Sequence, residues 1–213
     1  MITRGTSKSE IKRRSGVSQL PSRRQSILDT SERLFLDKGL ERTTMADIAR
    51  AERISTVTLY RYFPSRDPIS FEIAARMLRK IAASPRVKVR RLTNESIRQI
   101  ALGLIDCFFD LRDAYRYMGM FDHLYGDRYP DEKLAAWYKE MVLSLEWGGI
   151  SLSDTGVASK KRQKAVVLLN AVICYLERMA ARGDLLSEEQ GVPLAVQLEH
   201  FRDMIAVYLK RFA

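Results

Sequence analysis

Between residues 43 and 64 the chain carries two helix starts and two helix stops, leaving room for only about two turns of helix each time. Thr43 or Thr44 precedes an apolar-periodic run with Asp47 in its first turn, so a helix starts there and lasts through Ala51. Ser55 starts the next. That helix stops at Phe63, because Pro64 has no amide proton and disfavours helical geometry in the residue before it. A short helix, a three-residue turn and a second short helix over residues 44–63 place the second helix across the first, where it can enter a major groove. On spacing alone the pattern also describes an ordinary helical corner, so residue types must decide.

Apolar residues recur at three- and four-residue spacing along nearly the whole chain, and alternating runs bounded by hairpin pairs are absent. The expected fold is therefore all-α. A first helix opens at Ser22 with Gln25 three residues on, carries Ile27, Leu34 and Phe35 as its stripe, and ends at Gly39 after Lys38. A fourth is expected from Asp67, with Pro68 at its first position, to about Ala83. Residues 86–92, with four basic groups, read as a linker. Helices then follow over residues 94–111 and 131–146, flanking an aromatic-rich region at 113–129. A polar loop at 148–159 leads to two long helices, residues 160–182, ended by Gly183, and 193–212.

The stretch TTMADIARAERISTVTLYRYFPSRDPI, residues 43–69, resembles the N-terminal signature of TetR-type transcriptional repressors. In that family a helix containing Ile-Ala leads through a turn to a Ser-capped recognition helix ending Leu-Tyr-x-Tyr/His-Phe. Ile48, Ala49, Ser55, Leu59, Tyr60, Tyr62, Phe63, Ser65, Arg66 and Ile69 occupy the corresponding places, with Gly39 and Thr43-Thr44 upstream. The resemblance covers about residues 24–70. It implies an N-terminal three-helix helix-turn-helix DNA-binding domain followed by a larger helical ligand-binding and dimerisation domain. The boundaries expected are a flexible basic arm at 1–21, the DNA-binding domain at 22–66 and the effector-binding and dimerisation domain at 67–213. Two positions depart from the family. Its turn commonly reads Ala-Gly-Val-Ser, where this chain has Glu52-Arg53-Ile54-Ser55, so a non-glycine residue must adopt the turn's geometry at some cost in strain. Val57 stands where glycine commonly lets the backbone approach DNA, although its methyls can meet a thymine methyl instead.

Chemistry assigns the remaining roles, since phosphate contacts position a protein and base-edge contacts specify sequence. Thr44 and Ser55 stand at helix starts, where free amides favour anions. Tyr60, Tyr62 and Arg66 offer a hydroxyl or a cation to phosphate. Thr56, Val57, Thr58 and Arg61 lie on early or outward positions of the second helix and are the candidates for base edges. Ile48, Ala49, Leu59 and Phe63 are expected in the core.

Charge points to the same partner. The formal net charge is +10, and residues 1–24 hold seven basic groups against one acid. Lysine and arginine neutralise phosphates and release condensed counterions, which favours a polyanionic partner, nucleic acid such as double-stranded DNA first and an anionic membrane second. The arm reads either as a solubilising tail or as a phosphate or minor-groove contact.

One short recognition helix makes few contacts, so such modules work as two-fold dimers on palindromic sites. Val166, Leu169, Ile173 and Leu176, with Leu198, Phe201 and Ile205, form apolar stripes on the last two helices, and the resemblance implies that these helices pair in a homodimer. An intramolecular core is the alternative for those stripes. Phe108, Phe109, Tyr117, Phe121, Trp137 and Tyr138 are candidates to line a pocket for a small apolar or aromatic effector, against the plainer reading that they are core. By resemblance, that effector shifts the separation of two reading heads and releases the operator.

No cofactor or metal is expected: His123 with Asp122, Asp127 and Asp131 lacks a recognised ligand spacing. Cys107 and Cys174 lie in apolar patterns unsuited to a redox switch. The longest apolar stretch, residues 165–176, is broken by Asn170 and is too short to span a membrane, so a cytoplasmic protein is expected. G-x-S-x-G, G-x-G-x-x-G, P-loop and H-E-x-x-H patterns are all missing, which argues against an enzyme. The competing reading is a helical ligand-binding or protein-interaction module that has lost specific operator binding.

Overall fold

A computed structural model describes residues 22–88, 91–126, 131–147, 150–151, 159–182 and 193–210. The basic arm at 1–21, Asp127 and Gly183 lie outside the described residues, as does most of the loop at 148–159. Helices α1 (Arg23–Lys38), α2 (Met45–Ala51) and α3 (Thr56–Tyr62) precede α4 (Arg66–Ala83), and α5 (Asn94–Asp106) follows. After a 3-10 turn (Phe109–Leu111) come α6 (Arg112–Gly126) and α7 (Asp131–Ser144), and the two long helices α8 (Ser159–Arg182) and α9 (Leu194–Lys210) end the described chain. The fold is all-α in architecture, with one departure: Glu146–Trp147 and Ile150–Ser151 pair as a minimal antiparallel ladder. Its Trp147 is fully buried, and the first strand packs on α4.

The first three helices follow from local signals. Ser22 Oγ accepts from the Gln25 amide at 3.3 Å, and Gly39 ends α1 at φ +92°, a conformation that side-chain-bearing residues avoid. Thr44 and Asp47 form a reciprocal capping box at the start of α2, and Ser55 Oγ accepts from the Thr58 amide at 3.0 Å to start α3. Phe63 leaves the helix for extended backbone, as Pro64 requires. In α4 the helix begins one residue earlier than expected, at Arg66 after Ser65.

The segment expected as one helix over residues 94–111 breaks after Asp106, and the aromatic-rich region that follows is itself helical, as α6. The turn at Cys107–Phe108 has neither glycine nor proline to announce it. Phe108 and Cys107 are buried there.

Helix α4 joins the two halves of the molecule. It packs on α1 on one side and on α6 and α7 on the other. The Tyr117 hydroxyl of α6 donates to the Ser70 carbonyl at 3.0 Å, the Tyr125 hydroxyl donates to Asp67 at 2.8 Å, and Arg76 pairs with Asp29 of α1 at 2.7 Å. A boundary drawn between residues 66 and 67 thus falls in the first turn of a helix that belongs to both halves. One apolar core runs from Ile27, Phe35 and Ile48 through Ile73 and Leu78 to Phe121, Leu169 and Leu176. Burial of such a core is the dominant stabilising term. The most extensive helix pairing is α6 with α8, while α5 packs on both α8 and α9. Among the described residues, no helix is long and apolar enough to cross a membrane.

Candidate nucleic-acid interface

Helix α3 is held from behind by a few contacts that leave its front face free. Leu59 and Phe63 are fully buried, together with Ile48 and Ala49 of α2, as expected of the core of this unit. The Arg24 guanidinium sits 4.7 Å from the centre of the Phe63 ring and forms a two-pronged ion pair with Glu72, one prong at 2.6 Å. The hydrogen bond to Glu72 is the leading cause of the raised Arg24 pKa. The start of α1, the end of α3 and the second turn of α4 are fastened at that point.

The front face carries Thr56, Val57, Tyr60, Arg61 and Tyr62, all exposed, with Thr58 half-buried. Val57 at 72% and Tyr60 at 51% exposure, with Tyr62, are three of the seven large apolar side chains left exposed among the described residues. Their concentration on a seven-residue helix marks a surface suited to being covered by a partner. The valine that stands in place of the family's glycine at position 57 therefore projects its side chain outward and does not disturb packing.

Three of the other residues expected at this interface have a structural task in the free chain. The Thr44 hydroxyl accepts from the Asp47 amide at 3.1 Å while the Thr44 amide donates to Asp47, which holds the Asp47 carboxyl below its ordinary range through the Thr44 bonds first and Lys38 nearby. The Ser55 hydroxyl caps α3. Arg66 Nη1 donates to the carbonyls of Leu40 at 3.0 Å, Glu41 at 2.8 Å and Thr43 at 3.2 Å, so this cation ties the loop before α2 to α4.

The turn between α2 and α3 shows the strain anticipated from Arg53, whose φ of +56° is the one positive value for a non-glycine residue among the described residues. Glu52, beside it, anchors the turn to α1: its carboxylate accepts from Thr30 Oγ1 at 2.6 Å and from Ser26 Oγ, with Arg23 at 3.7 Å. The sequence reading missed this anchor, since twenty-odd residues separate the partners.

The two further candidate sites look different in the structure. The stripe Leu169, Ile173, Leu176, Leu198, Phe201 and Ile205 is buried within the single chain, with Val166 half-buried. The reason is that α8 packs on α6 and α5 and α9 on α5, while Tyr175 and Phe201 stack at 3.7 Å between the two last helices. Six of the seven side chains thus belong to the core of the single chain, as in the intramolecular alternative. Among the described side chains, the large apolar ones exposed on α8 and α9 are Val167, Met204 and Val207.

The six pocket candidates divide into three groups. Phe121, Trp137 and Tyr138 come together with Phe71 and Tyr125, Phe71 meeting Phe121 edge-on at 4.9 Å and Trp137 at 5.3 Å. Phe71 was not anticipated there. Phe108 stacks on Tyr115 at 5.6 Å, and Phe109 is corrected to an exposed residue beside it. Tyr117 lies against Phe35 of α1 at 6.2 Å. Burial pushes the Tyr125 hydroxyl up to about 12 and Tyr117 well above its ordinary value, so both are donors throughout the physiological range.

His123 is exposed and Asp122 half-buried, and Asp122 joins Cys174 and Glu177 of α8 instead of its own loop neighbours. Burial, then the charge of Glu177, raises the Cys174 thiol to about 11, so the free thiol stays protonated at neutral pH and is unsuited to a redox switch.

Residues 27–73 match the family described as bacterial regulatory proteins, tetR family. An uncharacterised HTH-type transcriptional regulator of Mycobacterium tuberculosis is 38% identical over 63 residues, which is 30% of this chain and 31% of that protein. The matched stretch thus spans about a third of the length of the curated relatives. Among solved structures, Salmonella enterica GusR superposes with a TM-score of 0.57 at 20% identity, covering 91% of this chain and 98% of that one. A tetR-family transcriptional regulator from Streptomyces coelicolor gives 0.53 at 16% identity, covering 91% and 84%. The resemblance read from residues 43–69 holds over the matched stretch, and the fold of the described chain is the one these proteins have. The matched family consists of DNA-binding regulators, not enzymes.

Proposed function

We propose that this chain, with its TetR-type N-terminal domain, is a homodimeric, sequence-specific DNA-binding repressor that a small-molecule effector releases from a palindromic operator. The observation that carries the reading is the division of α3 into a locked back, Leu59 with Phe63 beyond it, and a free front of Thr56, Val57, Tyr60, Arg61 and Tyr62. A helix so held presents its first and outward residues to base edges, while exposed arginines such as Arg50, Arg53 and Arg61 supply the charge that phosphates attract.

Dimerisation is proposed through Val167 of α8 with Met204 and Val207 of α9, large apolar side chains that stay exposed once the core stripe is buried. The effector is proposed to act on the aromatic cluster of Phe71, Phe121, Tyr125, Trp137 and Tyr138. That cluster touches α4, the helix that carries both halves, so a ligand that repacks it has a mechanical route to the reading heads. Footprinting on the DNA upstream of the chain's own coding region tests the proposal. It predicts protection of two half-sites related by a dyad and spaced by about one helical turn or a multiple of it. Protection without a dyad, or none, contradicts it.

A further inference from the structure

Where α6 crosses α8, three side chains from two helices converge. Asp122 comes from α6, and Cys174 and Glu177 stand three residues apart on one face of α8. One ligand atom from each, two carboxylate oxygens and a sulfur, lie within 4.8 Å of one another. Glu177 is 4% exposed; its carboxyl hydrogen-bonds Asp122, and its Oε1 has no hydrogen-bond partner. A carboxylate oxygen buried without a partner is costly, which is why such oxygens are found paired or bound to a cation.

We propose that Asp122, Cys174 and Glu177 form a binding site for a divalent transition-metal cation of the zinc class. The donor set selects it. Calcium and magnesium take six or more oxygens, whereas zinc accepts mixed sulfur and oxygen ligands in fours. Tetrahedral zinc with ordinary bond lengths puts its sulfur and oxygen ligands about 3.4–3.6 Å apart, so the three atoms need to close by roughly 1 Å. Water completes the four.

The surroundings fit a metal site. Tyr138 of α7 hydrogen-bonds Asp122 Oδ1, holding that carboxylate in orientation as outer partners of ligands do. Gly119, one turn before Asp122, lets α6 come close to α8: a Cβ there would lie 3.4 Å from the Glu177 carbonyl oxygen. Two ligands at an i, i+3 spacing on one helix with a third from the facing helix is a geometry that helical bundles use for metals. Cys174 lies at the exposed edge, which gives the ion a way in. The site stands on these side chains and does not depend on whether the chain binds DNA.

The test is titration of the purified full-length chain with zinc and, for its spectrum, with cobalt. The expected result is one zinc per chain, a raised thermal midpoint, and a thiolate-to-cobalt absorption band in the near ultraviolet. Cys174→Ser removes the band and weakens zinc binding at least about 10-fold, and Glu177→Gln weakens it similarly, while Cys107→Ser changes neither. If Glu177→Gln fails to fold, the wild-type spectrum and Cys174→Ser decide the matter. Absence of saturable binding, a cobalt complex without the thiolate band, or zinc affinity unchanged in Cys174→Ser overturns the proposal.

Discussion

Thr30 Oγ1 donates a 2.6 Å hydrogen bond to the carboxylate of Glu52, joining the middle of α1 to the turn between α2 and α3. Ser26 supplies a second hydroxyl to the same carboxylate. The turn that aims the recognition helix is therefore fastened by a side chain, at the place where the resembling family uses small residues. Replacing Glu52 with Ala leaves the buried Thr30 hydroxyl short of its acceptor, and should cost about 2 kcal/mol of stability. Glu52→Gln, which keeps an acceptor, should cost less. Urea denaturation checks both, and an unchanged midpoint in Glu52→Ala would mean that the anchor contributes little.

Next to Glu52, Arg53 holds a φ of +56°. Left-handed backbone costs a side-chain-bearing residue about 1 kcal/mol relative to glycine, so Arg53→Gly should raise stability by about that amount in spite of glycine's greater freedom when unfolded. The same change removes an exposed cation, so DNA affinity should fall modestly while the thermal midpoint rises. A lower midpoint would show that the turn prefers its arginine for a reason other than backbone conformation.

Stability in acid should report on the capping box. Bonds from Thr44 hold the Asp47 carboxyl below its ordinary range. A group whose folded pKa is depressed contributes stability that is complete above its unfolded value, about 3.9, and is lost as pH falls through the folded value. Wild type should therefore melt above Asp47→Asn at about pH 7, and the gap should close as pH falls below about 3. A gap that persists in acid would assign the effect to something other than the charged form.

Much of this could be read from the sequence wherever the signal was local. Ser22, Thr44 and Ser55 as caps, Gly39 as a stop and Pro64 as a barrier each act within four residues, and α1 to α3 fall where those residues put them. The positive φ at Arg53 was legible for the same reason. What escaped depends on partners far along the chain. Leu169 and Leu176 make an apolar stripe of the right period, but whether it faces a second copy or the chain's own α5 and α6 is decided by helices some fifty or more residues earlier. Asp122 seemed to belong with its loop neighbours His123 and Asp127, whereas packing of α6 on α8 gives it Cys174 and Glu177. The break between α5 and α6 has no punctuating residue, and only the burial of Phe108 against Tyr115 accounts for the turn.

The exposed remnants on α8 and α9 lead to a prediction about assembly. Val167→Glu combined with Met204→Glu places charge on the proposed pairing face and should convert a dimer to a monomer in sedimentation without loss of helix content. Leu176→Glu, at a buried position, should instead unfold the chain. A double variant that stays dimeric would move the interface to another face.

The central claim is that α3 reads DNA with its free front. Its most direct test is the affinity of the purified chain for its footprinted site and for an unrelated duplex, at low and high salt, with Tyr60→Ala and Arg61→Ala beside wild type. Both side chains are exposed, so the variants should keep the wild-type circular dichroism spectrum. The account predicts tight, salt-sensitive binding to the site, weakened by about 10- to 100-fold in each variant, with little change on the unrelated duplex. Equal, weak binding of all three proteins to both duplexes would contradict it and leave a helical interaction module in its place.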